Sequence, residues 1–434
     1  MSNKIAIIAD DLTGANDSGV QLAKKGLEAI VKLDTESHIQ SNPEALIIDT
    51  DSRALPIEEA RRAVQKAASL LFQNGYKHIY KKIDSTLRGN IAVEVKAVVN
   101  VFQPDCVVIV PAYPKLNRVT LEGYHYVNGQ FVSESEFSRD AKTPVKESYI
   151  PNILQEQFDE KDIIVIPLSF INGDEKKTQE FIRRNLKKGI KLFVCDVETE
   201  DDLKSIAQIF SNMKDKDIVW VGSGGLVEYL PEAIGINSSP NKSTKLKTSK
   251  PLIISGSLSK VTKLQLETLK KVKNPYVIEV NPVHLVKKTF NIDELLKLDI
   301  NVDDFDLIIL YVDSTEENRE SIMRIREELK LSNTQISELI VGGLGQLGKS
   351  ILERVPDIES LILTGGDTAK AVCRAINVDE ITLQTEVEAG MPVGVINSEG
   401  KQYWTITKAG GFGKETSLVN AVNYLNGKGL VQDE

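Results

Sequence analysis

Short runs of apolar, mostly β-branched residues recur along the first half of the chain, with stretches of helical spacing between them. They stand at 4–9 (KIAIIA), 45–48, 78–83, 106–110 (CVVIV), 162–166, 191–195 and 218–221. Strands alternating with helices predict a mostly parallel sheet covered on both faces. One stretch departs from this. In 126–132 (YVNGQFV), Asn128 and Gly129 separate two short alternating runs, which predicts a type I′ hairpin standing out as a local flap or arm.

Residues 237–250 (NSSPNKSTKLKTSK) break the pattern: they are rich in Ser, Thr, Asn and Lys and poor in apolar side chains, the composition of a linker. The alternation resumes at 252–255, 276–280, 307–312 and 360–364. The expected architecture is therefore α/β in two domains, residues 1–236 and 251–434. Each is a mostly parallel sheet flanked by helices, with the active site in the cleft between them.

Ligands of open parallel sheets gather at the carboxyl ends of the strands. The first strand runs into ADDLTGAND (9–17), which carries Asp10, Asp11, Thr13, Asn16 and Asp17 ahead of a helix through Val20 and Leu22. Capping that helix would use one side chain, Asn16 or Asp17, whereas two adjacent carboxylates at a strand end exceed what a cap needs. The run YKKIDSTLRGN (80–90) is the second concentration. If the strand persists, Lys82 and Asp84 share one side and Lys81 and Ile83 the other, with Ser85, Thr86 and Arg88 in the loop beyond. DTDSR (49–53) ends a third strand in the same manner. Arg53 and Lys82 suit a carboxylate, Arg by its fork and Lys as a point charge. The alternative for these residues is an internal network of Arg–Asp pairs across neighbouring strand ends.

The second half offers glycine turns instead: ISGSLS (254–259), LTGGDTAKAVC (363–373) and TKAGGFGKETSL (407–418). Three such turns between strands and helices favour nucleotide phosphates held by backbone N–H groups, although none is a G-x-x-x-x-G-K-[ST] loop. Residues 343–348 satisfy G-x-G-x-x-G after an apolar run, as a dinucleotide site would, and an NAD(P)-dependent sugar-acid dehydrogenase is the reading that follows. Against it, Leu339, Ile340, Leu344, Leu347, Ile351 and Leu352 continue a helical stripe through the glycines and predict a packed helix with small residues on one side.

Charge narrows the classes. With 62 acidic against 53 basic residues the net charge is −9, which disfavours nucleic acid and anionic membranes as partners. Three widely spaced cysteines and four scattered histidines give no disulfide framework and no zinc ligand pairs, as expected in a reducing compartment. No run reaches the roughly 18 apolar residues of a membrane span, so a cytoplasmic protein is expected. The sequence leaves homo-oligomerisation open.

With ADDLTGAND, DSR, KKIDSTLRGN, VVIVPAYPKLNRVT, GSGGL, ISGSLS, TGGDTAKAV, GMPVGVI and KAGGFG in order, the chain resembles the four-carbon acid sugar kinase family over nearly its whole length. The resemblance implies a sugar-acid-binding N-terminal domain and an ATP-binding C-terminal domain. The expected reaction is ATP-dependent phosphorylation, with magnesium, of the terminal hydroxyl of a four-carbon acid. ADDLTGANDSG and KKIDSTLRGN look most like the members that act on D-threonate; D-erythronate, L-threonate and 3-oxo-tetronate are the alternatives. By position it puts substrate contacts at Asp11, Arg53, Lys81, Lys82, Ile83 and Asp84, with Ser85 adjacent. ATP contacts fall at Ser255 or Ser257, at Gly365, Gly366, Asp367 and Thr368, and at Gly410 or Gly411. Arg53 and one of Lys81 or Lys82 would fix the carboxylate, and Asp84 or Asp11 would accept the hydroxyl proton. Leu12 replaces the Phe that many relatives carry, and GSGGL (222–226) has no role assigned beyond structure.

Overall fold

A computed structural model describes residues 4–35, 43–140, 142–236, 246–248, 250–257, 259–291, 295, 304–313 and 315–428. The chain forms two compact units, Met1–Asn241 and Lys242–Glu434. Of the expected linker, 237–245 and 249 lie outside the described residues. At its far end, Leu246 is buried in the second unit and the Thr248 N–H donates to the Leu425 carbonyl at 2.9 Å.

The first unit carries eight parallel strands: β1 (Ile5–Ala9), β2 (Ala29–Lys32), β3 (Ala45–Asp49), β4 (His78–Lys82), β5 (Cys106–Val110), and, after a small separate sheet, β9 (Ile163–Ile166), β10 (Leu192–Cys195) and β11 (Ile218–Gly222). Their order is β2-β3-β1-β4-β11-β5-β10-β9. After β1 the chain goes out to β2 at the edge, fills the gap with β3, then crosses to build the other side from β4, so the order reverses between β1 and β4. That reversal opens a crevice at their carboxyl ends. Strands such as IAIIA and CVVIV are buried along their whole length, as a sheet covered on both faces requires.

The separate sheet consists of β6 (Arg118–Leu121), β7 (Tyr124–Val127) and β8 (Gln130–Phe131), all antiparallel. Asn128 and Gly129 both have positive φ, 50° and 80°, as the expected type I′ turn demands. The hairpin is not a free flap, however. Backbone bonds join Thr120 to Val197 in both directions, at 2.9 and 2.8 Å, and the Asp196 carboxylate accepts from the Glu122 and Gly123 N–H groups at 2.8 and 2.9 Å. A tight turn before β7 leaves those two N–H groups without a strand partner, and Asp196 supplies one.

The second unit has seven strands, β12 (Pro251–Ser255), β13 (Pro275–Val280), β14 (Leu307–Val312), β15 (Ser360–Thr364), β16 (Glu380–Glu386), β17 (Pro392–Ser398) and β18 (Lys401–Lys408), in the order β13-β14-β12-β15-β18-β17-β16. The first five run parallel and β17 is antiparallel to both neighbours. Here the order reverses between β12 and β15, so ISGSLS and TGGDT meet at the switch point.

The G-x-G-x-x-G run lies inside the helix Asn333–Arg354. A Cβ at Gly343 would sit 2.9 Å from Leu285 Cδ2, at Gly345 2.5 Å from the Ala371 carbonyl oxygen, and at Gly348 2.6 Å from Ile254 Cδ1. These glycines let the helix lie against its neighbours, the helix Gly366–Ala375 among them, and they are not a phosphate loop. Gly345 faces backbone, which cannot move aside as a side chain does. Gly345→Ala is therefore expected to cost about 1–3 kcal/mol of stability in urea unfolding followed by circular dichroism. A loss below about 0.5 kcal/mol would deny the close packing.

Candidate active site

In the first unit the ends of β1, β3 and β4 converge on one guanidinium. Asp11 is extended and caps the helix Leu12–Lys24, its carboxylate accepting from the Gly14 N–H at 2.9 Å. The helix thus begins earlier than the sequence suggested: Asp11 is the cap, and Thr13, Asn16 and Asp17 lie within the helix. From the loop after β3, Arg53 donates Nε and Nη2 to Asp10 at 2.7 and 2.9 Å, and Nη1 and Nη2 to Asp11, both at 2.7 Å. Its Nη2 is also 3.7 Å from Asp84 Oδ1.

Burial opposes charge on Arg53, but Asp10, Asp11 and Asp84 together hold the guanidinium well above the usual arginine value. Burial likewise pushes the Asp10 carboxyl up, and Arg53, with Lys81 and Lys82 behind it, overrides that and holds it below the ordinary aspartate value. Asp84 is pushed up by burial too, yet Arg53, Arg88 and Thr86 keep it well below. Arg88 forks onto Asp84 at 2.9 and 3.1 Å and reaches Asp140 at 3.2 Å, while the Thr86 hydroxyl also donates to Asp84. The second loop is pinned to the first by Asn90, whose side chain donates to the Ser52 and Leu55 carbonyls at 3.0 and 2.9 Å.

The two lysines part company. Lys81 is fully buried against Glu94 at 2.7 Å, and it also donates to the Lys82 carbonyl at 2.8 Å and, more weakly, to that of Ile8 at 3.4 Å. Those bonds use its three protons, so its ammonium is structural and has no donor left for a ligand. Glu94, raised by burial against the pull of Lys81, went unnoticed because it sits in the apolar helix Ile91–Phe102. Lys82 faces the crevice side. It donates to the Ile83 carbonyl at 2.8 Å, and a Cβ at Gly14 would lie 2.8 Å from its Nζ and 2.7 Å from Asp11 Oδ1, so only glycine fits there. The Ile83 side chain is buried in the core, and its N–H is bonded to the Gly222 carbonyl. Ser85 accepts from Arg118 of β6 through its hydroxyl and from His125 Nε2 through its carbonyl at 2.8 Å. Burial pushes the His125 pKa down to about 4, so the ring is neutral, with Nδ1 left to accept from Thr120 at 3.1 Å. Arg88, Arg118, His125 and Asp140 complete a cluster of which sequence reasoning had singled out only Arg88.

The GSGGL turn is packing. A Cβ at Gly222 would meet Tyr80 Oη and the Val110 carbonyl, both at 2.6 Å, and Ser223 caps the short helix Gly224–Val227.

In the second unit, pairing aligns Ser255 of β12 with Thr364 of β15 and Thr364 with Lys408 of β18, one row on one face at the strand ends. The Ser255 and Thr364 hydroxyls are buried and have no hydrogen-bond partner among the described residues. Burial brings the Lys408 pKa down to about 8 against the pull of Glu388, and its Nζ donates to the Ala409 carbonyl at 2.9 Å. Lys408, one residue before AGG, was missed in favour of the glycines. Gly365 has φ +100°, which only glycine adopts freely, and it opens the helix Gly366–Ala375, with Asp367 in its first turn and Thr368 buried. Ser257 and Gly410 approach closely, a Cβ at Gly410 falling 2.4 Å from Ser257 Oγ, and Thr262 donates to the Gly410 carbonyl at 2.7 Å. Gly411 follows, in open space. Beside Gly256 opens a cavity of about 260 Å³, lined by Pro282, Val312, Ile322, Ile336 and Ile340, with Asp313 and Asn318 among its polar groups.

One unit thus presents charged side chains suited to a hydroxylated acid, the other backbone N–H groups and hydroxyls suited to phosphates, the division of labour of a two-domain sugar kinase. Residues 5–230 match the sugar-binding N-terminal domain family and residues 252–418 the nucleotide-binding C-terminal domain family. The chain belongs to the four-carbon acid sugar kinase family, as the resemblance implied, and is a sugar-acid kinase. It is 32% identical to a D-threonate kinase of Salmonella typhimurium, over 97% of this chain and 98% of that one. It is 30% identical to a D-erythronate kinase of Heliobacterium modesticaldum, over 98% and 97%. A Haemophilus influenzae protein of known structure shares the fold with a TM-score of 0.77 at 21% identity, covering 97% of this chain and all (100%) of that one. Among the described residues no helix is long and apolar enough to cross a membrane.

Arg53 is the hub of the cluster, so its removal leaves the buried Asp10 without its hydrogen-bonded partner and with only Lys81 and Lys82 behind it. Arg53→Ala is expected to lose about 3–5 kcal/mol at neutral pH in urea unfolding. In the wild type Asp10 and Asp84 titrate below their ordinary value of 3.8, so their contribution is whole above that value and is lost as pH falls below it. In the variant, burial raises the Asp10 pKa instead, and the penalty grows as pH rises above 3.8. The loss should be smaller at pH 5 than at pH 8. A pH-independent loss under about 1 kcal/mol would reduce Arg53 to a surface pair.

Proposed function

We propose that the protein transfers the γ-phosphoryl group of ATP to the terminal hydroxyl of a four-carbon sugar acid, D-threonate foremost. The observation that carries this is the pairing of an Asp–Arg–Lys crevice at one switch point with a phosphate-type turn cluster at another. The acid's hydroxyls meet Asp11, Lys82 and the Arg53 edge. Asp11 is the proton acceptor. Asp84 is a poor base, since Arg88, Thr86 and Arg53 occupy its oxygens and depress its pKa. Asp11 also takes the Arg53 fork and the Gly14 N–H, but its side chain is 25% exposed against 10% for Asp84, which leaves it within reach of a hydroxyl.

The donor set of the second unit fits a nucleotide. The helix start at Gly366 presents first-turn N–H groups that have no partner within the helix, Ser255 and Thr364 offer hydroxyls without a partner among the described residues, and Lys408 offers a cation. Ser257, Gly410 and Gly411 close the other side, and the apolar cavity beside Gly256 takes the base. Asp367 is the carboxylate that would hold magnesium, which when bound neutralises phosphate charge. With acceptor and donor groups on separate units, transfer is a property of the whole chain.

The test is ADP release from the full-length protein with ATP and magnesium, across D-threonate, D-erythronate, L-threonate, a 3-oxo-tetronate and neutral tetroses. ADP should appear with a four-carbon acid, fastest with D-threonate. Equal turnover of neutral tetroses would overturn the assignment to acids, and preference for another of the acids would move the substrate within the family.

A further inference from the structure

The cluster around Arg53 poses a problem for any acid that binds there. Four of the five N–H donors of Arg53 are already spent on Asp10 and Asp11, and Arg88 is forked onto Asp84 with its remaining nitrogen on Asp140. Lys82 apart, whose ammonium donates to the Ile83 carbonyl and stands beside Asp11, the crevice is therefore lined by carboxylates whose cations are engaged, a surface that accepts hydroxyl protons and offers no arginine fork to a carboxylate.

Arg118 is the exception. It stands on β6, half-buried, and among the described residues it makes one hydrogen bond, from Nη1 to the Ser85 hydroxyl. Among the described residues no carboxylate lies within ion-pair distance of it, and its buried Nε–H has no acceptor. Burial works against its charge, and the attraction of Asp84 does not restore the usual arginine value. The guanidinium is nonetheless held in place: its carbon lies 6.0 Å from the centre of the Phe137 ring, which also receives Arg88 at 5.4 Å. Its strand is fixed by the Thr120–Val197 bonds and the Asp196 clamp. A rigidly placed arginine with spare donors suits a planar oxyanion, which takes two parallel N–H bonds from one guanidinium.

We propose that Arg118 binds the carboxylate of the sugar acid, while Arg53 acts as a positioning residue for Asp10 and Asp11. The inference rests on the reading of the substrate as a sugar acid and adds the orientation of that acid in the site. Its carboxylate lies toward Arg118 and Ser85, its hydroxyls run along Asp84 and Lys82, and its far hydroxyl meets Asp11. The hairpin Arg118–Val127 is then part of the acceptor site and sets the discrimination between acids and neutral polyols.

Calorimetric titration of the full-length protein with D-threonate and with threitol, which replaces the carboxylate by a hydroxymethyl group, tests this without turnover. The wild type should bind D-threonate more tightly than threitol. Arg118→Gln should weaken D-threonate at least 30-fold and leave threitol within twofold. Arg118→Lys, which keeps the charge and loses the fork, should fall between, and the unchanged threitol affinity certifies that the site is folded. Equal losses for both ligands, no loss for either, or a wild type that does not distinguish them would overturn the proposal. Failure of the kinase reading shows separately, as an absence of ADP release from a wild type that still binds D-threonate.

Discussion

Two aspartates, one after the other at the end of β1, share one guanidinium. Asp10 is buried and would be costly to ionise alone, and Arg53 lies within reach only because the loop after β3 folds back over β1, where its own N–H bonds the Asp10 carbonyl at 3.1 Å. That fork fixes the position of Asp11 at the helix start, joins β1 to β3, and presents Asp84 with a cation from the far side. Asp10 and Asp84 are thereby kept ionised without being given to solvent. The arrangement is stable because it is complete: removing a member strands a buried charge.

The same completeness defines what is left over for a ligand. In the first unit the unspent capacity is the open part of Asp11, Lys82 beside it, and Arg118 beyond Ser85. In the second unit it is a set of hydroxyls and N–H groups around Gly365, with Lys408 at the end of the row. On the proposed function, one site would read a small acid by charged side chains at fixed spacing. The other would read phosphate by backbone geometry, where glycine matters for the conformation it allows.

Much of this was legible in the chain, for a physical reason: buried parallel strands are continuous apolar runs, and nearly all those expected lie within a residue of the observed bounds, 106–110, 307–312 and 360–364 coinciding with them. The strands that escaped were short ones, β2 and β6, and those whose apolar run is interrupted by polar residues or glycine, β16, β17 and β18. Site residues at strand ends were legible as a group, but their partners were not. Strand alternation put Lys81 and Lys82 on opposite sides, but nothing in KKID says that Lys81 meets a glutamate inside an apolar helix or that Lys82 faces Gly14 and Asp11. Nor does NRVT announce that Arg118 returns to Ser85, since that contact depends on a turn whose N–H groups are held by Asp196. The glycines at 343–348 carried opposite readings at the level of motif, and the periodicity of their apolar neighbours separated them: they are contacts of one helix with its surroundings.

The central claim is that acid and nucleotide are received by different units through different groups. Hydrogen exchange of the full-length protein, read by mass spectrometry with each ligand alone, measures this directly. D-threonate should protect peptides spanning 10–14, 82–88 and 118–125 and leave 364–370 and 408–413 unchanged. A nonhydrolysable ATP analogue with magnesium should do the reverse. Protection of the same peptides by both ligands, or of the second unit by D-threonate alone, would contradict the account.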